Sequence, residues 1–276
     1  MKALMIQGTA SNVGKTLFVI GLCRLLATKG FKVCPFKAQN ITTYSYHTVN
    51  NQELGYAQHI QALACNIISD SRMNPVLIKV RERHTDFFIN GRLNRQGDFK
   101  EYAEVLSEMK SAIIESYKSL CQEYDFIIIE GAGSPAEINQ SEDDIANMWF
   151  ADHFQIPVLL MSNMEYGGSF ASIVGTLELL APQYRNLIKG FILNKYDGEL
   201  STLYNGTRYI ENIYRIPFLG AIPYIENLTI QEEDKLFRSN SSDPNNFPDI
   251  NNNLFHSFDR LADVIKKHIH LSILKD

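Results

Sequence analysis

A glycine-containing loop lies between the first apolar segment and the first helical pattern, and reads Gly8-Thr-Ala-Ser-Asn-Val-Gly14-Lys15-Thr16. Glycines let backbone N–H groups point into a concave loop, and the N-terminus of the following helix adds positive potential. Lys15 can reach the β- and γ-phosphates of a nucleotide, and the Thr16 hydroxyl can hold Mg²⁺. The loop therefore predicts a site for ATP and Mg²⁺. Its predicted cofactor-binding residues are Gly8, Asn12, Val13, Gly14, Lys15 and Thr16.

An apolar segment farther along the chain ends in a carboxylate and then small residues, Ile127-Ile-Ile-Glu130-Gly-Ala-Gly133. An acidic residue at the end of a strand beside a phosphate loop is placed to meet Mg²⁺. The glycines that follow permit close approach to a ligand. Glu130 is therefore a candidate metal ligand and catalytic residue. The alternative is a glutamate at a strand end that faces water.

A third polar group follows another apolar segment, and reads Asn194-Lys195-Tyr-Asp197. Asn194 and Lys195 at such a place can hold a purine ring. The four residues also match the guanine-reading pattern of GTPases, in which the aspartate accepts hydrogen bonds from the guanine edge. The choice between ATP and GTP stays open at this point, and a polar turn is the remaining alternative.

Short apolar segments that alternate with helical patterns predict the elements that position these motifs. They are typical of an α/β fold, with a mostly parallel sheet covered by helices on both faces. Ligands of such sheets bind beyond the carboxyl ends of the strands, where the three motifs lie. Strands are predicted at 3–6, 32–36, 126–129, 157–161, 190–193 and 218–222. Helices are predicted at 15–29, 53–65, 102–124, 169–180 and 202–214.

One domain, residues 1–238, is expected to contain these elements. Residues 239–253 are dominated by Ser, Asn, Asp and Pro, and are expected to form a linker or surface loop. Apolar residues then recur at helical spacing, which predicts a closing helix within 254–276 that belongs to the same domain. They are Leu254, Phe258, Leu261 and Ile265.

Charge and hydropathy exclude some classes of partner. The 276 residues include 26 Lys and Arg against 31 Asp and Glu, a net charge of -5 without a basic stripe, so no nucleic-acid partner is expected. The apolar runs are too short to span a bilayer, and no export signal opens the chain, so a cytoplasmic protein is expected. The four cysteines contain no Cys-x-x-Cys pair and are expected to be buried fillers rather than zinc ligands.

Several longer stretches resemble one family, the N-terminal synthetase domain of cobyric acid synthase, a P-loop family related to dethiobiotin synthetase. The most specific stretch is Glu130-Gly-Ala-Gly-Ser-Pro-Ala-Glu-Ile-Asn139, followed by Asp144-Ile-Ala-Asn-Met148. Shorter matches lie at 35–40, 53–58, 73–79, 167–172, 190–195 and 220–223. The likeness covers roughly residues 3–235, and it implies a dethiobiotin synthetase-like fold.

The resemblance also implies a reaction. Such enzymes use ATP to phosphorylate a substrate carboxylate, and ammonia then displaces phosphate to leave an amide. The family's small-molecule substrate is a corrin ring with several carboxylate side chains. Dethiobiotin synthetases instead close a ring through a carbamate, and a carboxylase–cyclase of that kind is the alternative function.

Roles for individual residues follow from the same resemblance. Lys15 and Lys37 would neutralise the γ-phosphate and the incoming carboxylate, and Asn194 would read the base. Mg²⁺ would lie among Thr16, Glu53 and Glu130. The substrate would face Gln39, Asn40, Lys79, Ser134 and Asn139. For Lys37 the alternative is a solvated loop lysine, and for Glu53 it is a charge that stabilises a helix N-terminus.

The sequence departs from the family in two places that bear on function. Cobyric acid synthase carries a C-terminal glutaminase domain that is not found here, so ammonia is expected from solution or from a separate glutaminase subunit. The family's Asp-Ile-Asp-Arg-Gly-Gly stretch reads Asn163-Met-Glu-Tyr-Gly-Gly168. Loss of a bidentate cation near an anionic substrate is not a conservative change, and favours a different or less charged substrate.

Two further expectations concern assembly and class. A homodimer is expected by analogy with dethiobiotin synthetase. A nucleotide switch of the partition-ATPase kind is the second alternative function. It is disfavoured because those proteins carry a signature lysine within the phosphate loop, where this chain has Ala10.

Overall fold

The computed structural model describes residues 2–81, 84–98, 101–139, 144–230 and 252–271. The strands are β1 (Lys2–Gly8), β2 (Val33–Phe36), β3 (Gln39–Ile41), β4 (Ser45–His47), β5 (Glu53–Gly55), β6 (Val76–Val80), β7 (Thr85–Ile89), β8 (Arg92–Gly97), β9 (Phe126–Glu130), β10 (Val158–Asn163), β11 (Ile188–Asn194) and β12 (Phe218–Ile222). The helices are α1 (Lys15–Ala27), α2 (Tyr56–Ala64), α3 (Tyr102–Glu123), α4 (Met148–His153), α5 (Ser169–Leu179), α6 (Pro182–Arg185), α7 (Tyr204–Tyr214) and α8 (Asn252–His268).

The central sheet has six described strands in the order β12-β11-β10-β1-β9-β2, and all of its pairings are parallel. β1 lies inside this sheet and is apolar on both faces. Met5 packs into the core on one side of the sheet, and Leu4 and Ile6 pack into the core on the other. Strands buried on both faces read as continuous apolar runs, which is why the sequence pattern located all six strands.

Helices cover both faces, as predicted. On one face α1 and α8 pack together over the sheet, with Phe18 and Ile265 in their shared core. On the other face α3, α4, α5 and α7 contribute to a larger core, in which Phe36, Tyr117 and Phe150 form an aromatic cluster. The predicted mostly parallel α/β fold is confirmed.

A smaller sheet between β2 and α3 was not predicted. Its order is β3-β6-β7-β8, with β6, β7 and β8 antiparallel, and a two-stranded hairpin of β4 and β5 lies beside it. The predicted helix at 53–65 was partly wrong, because its first three residues form β5. Gly55 is extended there, and its N–H donates to Asn74 Oδ1 at 3.2 Å, so the helix begins only at Tyr56.

The closing helix is present as α8, which starts at Asn252 and ends at His268. Most of the predicted loop at 239–253 lies outside the described residues, as do residues 272–276 of the closing segment. The predicted helix at 202–214 starts two residues earlier with a 3-10 turn, Leu200–Leu203, and continues as α7. Within the described parts of the chain, no helix is long and apolar enough to cross a membrane.

Gly21 allows α8 to pack closely on α1. A Cβ at Gly21 would lie 2.7 Å from Ile265 Cδ1 and 2.9 Å from Leu261 Cβ. We expect Gly21→Ala to lower the free energy of unfolding by about 1–3 kcal/mol, because the two helices must separate. Urea unfolding measures this change.

Gly175→Ala is the matched control, because nothing lies within 4 Å of a Cβ at that position in α5. It should raise the free energy of unfolding by about 0.5–1 kcal/mol through helix propensity alone. Equal effects of the two substitutions would contradict close packing at Gly21.

His59 makes stability depend on pH. It is buried on α2, where its Nδ1 lies 2.7 Å from Ser69 Oγ and its ring stacks on Tyr46. Burial lowers the pKa of His59 to about 4 from the ordinary 6.5. Between those values the unfolded chain binds a proton that the folded chain does not, so this residue destabilises the fold increasingly as pH falls through that window.

We therefore expect His59→Gln to lose less stability than the wild type between about pH 6.5 and pH 4. The difference should approach about 3 kcal/mol at the acid end. Unfolding in urea at several pH values measures it. Parallel stability curves for the two proteins would show that His59 is not the responsible group.

Candidate active site

The phosphate loop follows β1 directly and has the backbone that its glycines predict. Gly14 (φ 98°) and Asn12 (φ 61°) adopt left-handed conformations. A Cβ at Gly8 would lie 2.5 Å from Val13 Cγ2 and 2.9 Å from Lys15 Nζ, so only glycine fits under this loop. The loop therefore closes tightly before α1 begins.

Lys15 crosses from the phosphate loop to the loop after β9. It is buried, and its Nζ donates to the carbonyl oxygens of Ala10 at 3.1 Å and Gly133 at 3.0 Å. The Lys15 ammonium thus lies beside the concave loop, at the edge of the sheet where an anionic ligand would bind.

Glu130 is the centre of the site. Its side chain is almost completely buried at the end of β9. Oε1 accepts a hydrogen bond from Thr16 Oγ1 at 2.9 Å and lies 3.0 Å from Lys37 Nζ. Oε2 accepts from Gln61 Nε2 at 2.5 Å. The structure thus brings together three of the predicted residues, Thr16, Lys37 and Glu130, and Lys37 is a buried ion-pair partner rather than a solvated lysine.

The donor set at Glu130 fits Mg²⁺. Hydroxyl and carboxylate oxygens are the ligands that this ion prefers, and Mg²⁺ that binds with a nucleotide uses few protein ligands because phosphates and water complete its shell. Gln61 Oε1 adds an observation: it is buried beside the carboxylate with no hydrogen-bond partner among the described residues. A buried acceptor of this kind is suited to a donor such as a metal-bound water.

Two residues of the Asp144–Met148 stretch hold the loop after β9. Asn147 Oδ1 accepts from Ala132 N at 2.9 Å, and its Nδ2 donates to Ala132 O at 2.7 Å. Asp144 in turn accepts from three backbone N–H groups, those of residues 146, 147 and 148. Burial raises the pKa of Asp144 despite these donors. The two signature stretches are therefore one structural unit that fixes the carbonyl bonded by Lys15.

A cavity of about 420 Å³ lies between α1, α8 and the loop after β12. Asn194 and Lys195 line it together with apolar residues such as Leu17 and Ile225. Asn194 Nδ2 donates to Val13 O at 2.8 Å, and Lys195 Nζ donates to Asn12 O at 3.3 Å. Both residues thus link the phosphate loop to a cavity of a size and polarity suited to a purine ring.

Asp197 has a structural partner. Its Oδ1 accepts a hydrogen bond at 3.2 Å from the N–H of Tyr224, which lines the same cavity. The carboxylate that would read guanine in a GTPase pattern therefore supports the loop after β12.

The predicted substrate residues lie mainly on or next to the smaller sheet. Gln39 Oε1 accepts from Tyr102 Oη at 3.0 Å, and Asn40 Nδ2 donates to Gln58 Oε1 at 3.1 Å. Lys79 is buried and forms an ion pair with Glu53. Burial acts to raise the pKa of Glu53, but hydrogen bonds from Lys79 and Ser45 outweigh it, and the pKa is lowered.

Two predicted substrate residues lie after β9. Ser134 is buried, and its Oγ accepts from Ala136 N at 3.2 Å. Asn139 is exposed, next to residues 140–143, which lie outside the described chain. Glu53 contacts Lys79 and Ser45, whereas Glu130 contacts Thr16 and Lys37. The role of Glu53 as a metal ligand stays a prediction.

The altered stretch Asn163–Gly168 borders the phosphate loop, since β10 is the neighbour of β1. Asn163 Oδ1 accepts from Glu165 N at 2.9 Å, and Glu165 lies 3.6 Å from Lys195 Nζ. Tyr166, in the position of the family's arginine, is 84% exposed. This exposed loop position therefore carries a neutral aromatic ring in place of a cation.

Sequence reasoning missed Gln61, Asn147 and Asn74. Asn74 is fully buried and bonds the Lys37 carbonyl at 3.0 Å as well as the Gly55 N–H. Asn147 and Asn74 stand inside stretches that had been recognised, but nothing in their residue type showed what they contact. Gln61 lies in a helical pattern and carried no signal beyond being polar on a buried helix.

Comparisons with known proteins identify the family of the chain. A family model described as the CobQ/CobB/MinD/ParA nucleotide binding domain matches residues 4–237. The adenosylcobalamin biosynthesis bifunctional protein CobDQ of Leptospira interrogans is 44% identical over 243 residues, 87% of this chain and 28% of that protein. Cobyric acid synthase of Salmonella heidelberg is 42% identical over 248 residues, 90% of this chain and 49% of that protein.

The chain thus spans less than half the length of these relatives. Among solved structures, the signal recognition particle receptor FtsY from Elizabethkingia anophelis in complex with GDP aligns with a TM-score of 0.48 and 15% identity, over 81% of this chain and 57% of that one. The resemblance to cobyric acid synthase drawn from the motifs is confirmed. With the family model matched from residue 4 to residue 237, the chain belongs to the CobQ/CobB/MinD/ParA nucleotide-binding domain family.

Proposed function

We propose that this chain is an ATP-dependent ligase of cobalamin biosynthesis. It would activate a carboxylate of a corrin as an acyl phosphate, which ammonia then converts into an amide. The observation that carries the proposal is the buried group of Lys37, Glu130 and Thr16 beside the phosphate loop. The support for the substrate class is the 42–44% identity to proteins named for cobyric acid and adenosylcobalamin synthesis.

Charge neutralisation is the main contribution of the chain to such a reaction. A nucleotide phosphate and a substrate carboxylate repel each other, and fixed cations in a water-poor site reduce that repulsion. Lys15 lies at the phosphate loop, and Lys37 lies at Glu130. The two lysines therefore suit the γ-phosphate and the carboxylate respectively.

Mg²⁺ would be held by Thr16 and Glu130, with Glu53 as the third predicted ligand. When bound, the ion neutralises charge on the β- and γ-phosphates. Glu130 keeps one oxygen, Oε1, directed to Thr16 and Lys37. The protein thus places a hydroxyl and an ammonium within hydrogen-bond distance of a single carboxylate oxygen.

The substrate would bind over the smaller sheet and the loop after β9. Gln39, Asn40, Lys79, Ser134 and Asn139 are its proposed contacts, and Lys79 supplies the cation for a second carboxylate. Ammonia would arrive free or from a glutaminase. We place the base in the 420 Å³ cavity, where Asn194 and Lys195 lie.

The first test is ADP release by the purified protein with MgATP. Cobyrinic acid a,c-diamide with ammonium is offered in one reaction, and diaminopelargonic acid with bicarbonate in another. We expect turnover only in the first, with an amide as product by mass spectrometry. Turnover only in the second would replace the proposal by the dethiobiotin synthetase-like alternative. A rate of ATP hydrolysis that neither substrate changes would favour a nucleotide switch.

Lys37→Gln tests the role of the cation in the same assay. Glutamine retains a hydrogen-bond donor for Glu130 but removes the charge, so kcat should fall by about 100-fold. Lys32→Gln is the control, since Lys32 is exposed just before β2. Equal activity of the two variants would remove Lys37 from the proposed chemistry.

Base preference gives a separate prediction. Because Asp197 supports Tyr224 in the structure, we expect ATP to be preferred over GTP, and Asp197→Ala to weaken both nucleotides by a similar factor. Competition between ATP and GTP in a binding assay measures this. A selective loss of GTP affinity in Asp197→Ala would show that the aspartate reads guanine after all.

A further inference from the structure

Gln61 is fully buried on α2 and contacts the carboxylate at the centre of the site. Its Nε2 donates to Glu130 Oε2, whereas Thr16 and Lys37 donate to Oε1. The two oxygens of the carboxylate are thus divided between partners. Oε1 is turned to the phosphate loop, and Oε2 is fixed by α2.

The amide orientation of Gln61 is determined by this contact. Its nitrogen must face the carboxylate, because its oxygen would be repelled there. This leaves Gln61 Oε1 buried without a partner among the described residues. A buried acceptor without a hydrogen bond lowers folding stability, so an apolar residue would suit stability better at this position.

Gln58, one turn earlier on α2, has the complementary arrangement. It is also fully buried, and its Oε1 accepts from Asn40 Nδ2 of β3. Its Nε2 has no partner within the described parts of the chain. Residues three apart lie on one face of a helix. One helical face therefore connects the smaller sheet at Asn40 with the central sheet at Glu130.

We propose that Gln61 is a positioning residue for Glu130, and that α2 transmits the state of that carboxylate to β3 through Gln58. The proposal rests on the proposed function, because it takes Glu130 to hold Mg²⁺ with a nucleotide. Residues that hydrogen-bond a metal-ligating carboxylate fix its rotation, and their loss typically weakens metal binding by 10–100-fold. Without Gln61 the carboxylate can turn and lose the orientation of Oε1.

The hydrogen bonds of α2 also connect the smaller sheet to ligand binding at Glu130. If Glu130 is drawn towards a cation, Gln61 and the whole turn of α2 must move or tighten with it. The Gln58–Asn40 hydrogen bond carries that change to β3, where a substrate residue is proposed. Ligand binding at one sheet is then energetically coupled to the other.

Binding of ADP with and without Mg²⁺, measured by calorimetry, tests the positioning role. In the wild type Mg²⁺ should tighten ADP binding. In Gln61→Met that gain should shrink by about tenfold, while affinity in EDTA stays at the wild-type value. Gln96→Met is the matched control, because Gln96 Nε2 donates to the carboxylate of Asp86 at 2.8 Å in the smaller sheet. Gln96→Met should keep the full increase in ADP affinity that Mg²⁺ causes.

Three results would overturn the positioning role. In the first, Gln61→Met keeps the full increase in ADP affinity that Mg²⁺ causes. In the second, Gln61→Met loses ADP affinity equally in Mg²⁺ and in EDTA, which would show a disturbed fold rather than a lost metal site. A wild type indifferent to Mg²⁺ would remove the metal site and the role of Gln61 together. A wild type that responds to Mg²⁺ but turns over no corrin would contradict the proposed substrate and leave the role of Gln61 intact.

Hydrogen exchange tests the link through α2. We expect ADP with Mg²⁺ to slow amide exchange in α2 and in β3 of the wild type. Gln58→Met should keep the protection of α2 but lose that of β3, and Gln61→Met should lose both. Protection of β3 that is equal in all three proteins would overturn the link, whatever the result for Gln61.

Discussion

The carboxylate of Glu130 is only 1% exposed at the end of a central strand. The free-energy cost of removing this charge from water must be offset by hydrogen bonds and an ion pair with other parts of the chain. Glu130 receives a hydroxyl from α1, an ammonium from the residue after β2, and an amide from α2. Removal of one partner from a buried ion pair typically costs about 3–5 kcal/mol. The positions of α1, β2 and α2 around β9 are therefore constrained by their hydrogen bonds to the single charge of Glu130.

The order of the central sheet explains why distant motifs meet. β1 has β9 on one side and β10 on the other, and β2 lies beyond β9. Since all these strands are parallel, the phosphate loop, Glu130 and Lys37 emerge side by side from one edge. The strand pattern and the residue types at strand ends were both readable from the sequence, so the central sheet and the places of Thr16 and Glu130 at its edge could be predicted. Lys37 was predicted only through the family resemblance, and its contact with Glu130 was not predicted.

The smaller sheet could not be predicted in the same way. Two of its strands, β3 and β8, are mostly polar and give no apolar run. In the neighbouring hairpin, the stretch from Glu53 combines a strand and a helix that both read as helical. What separates them is a tertiary contact, the bond from Gly55 N–H to Asn74. Gln61 was missed for a related reason, since a glutamine on a buried helix has no signature until the carboxylate it faces is known. Local patterns identify elements, whereas partners of buried polar groups are decided by packing.

The charges of the site also bear on what it binds. Lys15 and Lys37 are buried cations at one edge of the central sheet, and Lys37 is paired with Glu130. Buried cations beside a phosphate loop favour an anion such as phosphate over water at that place. The neutral amide of Gln61 holds Glu130 without adding a charge, whereas a charged partner in its place would alter the electrostatics of the site. Gln61 therefore fixes the geometry of the carboxylate while it leaves the local set of charges unchanged.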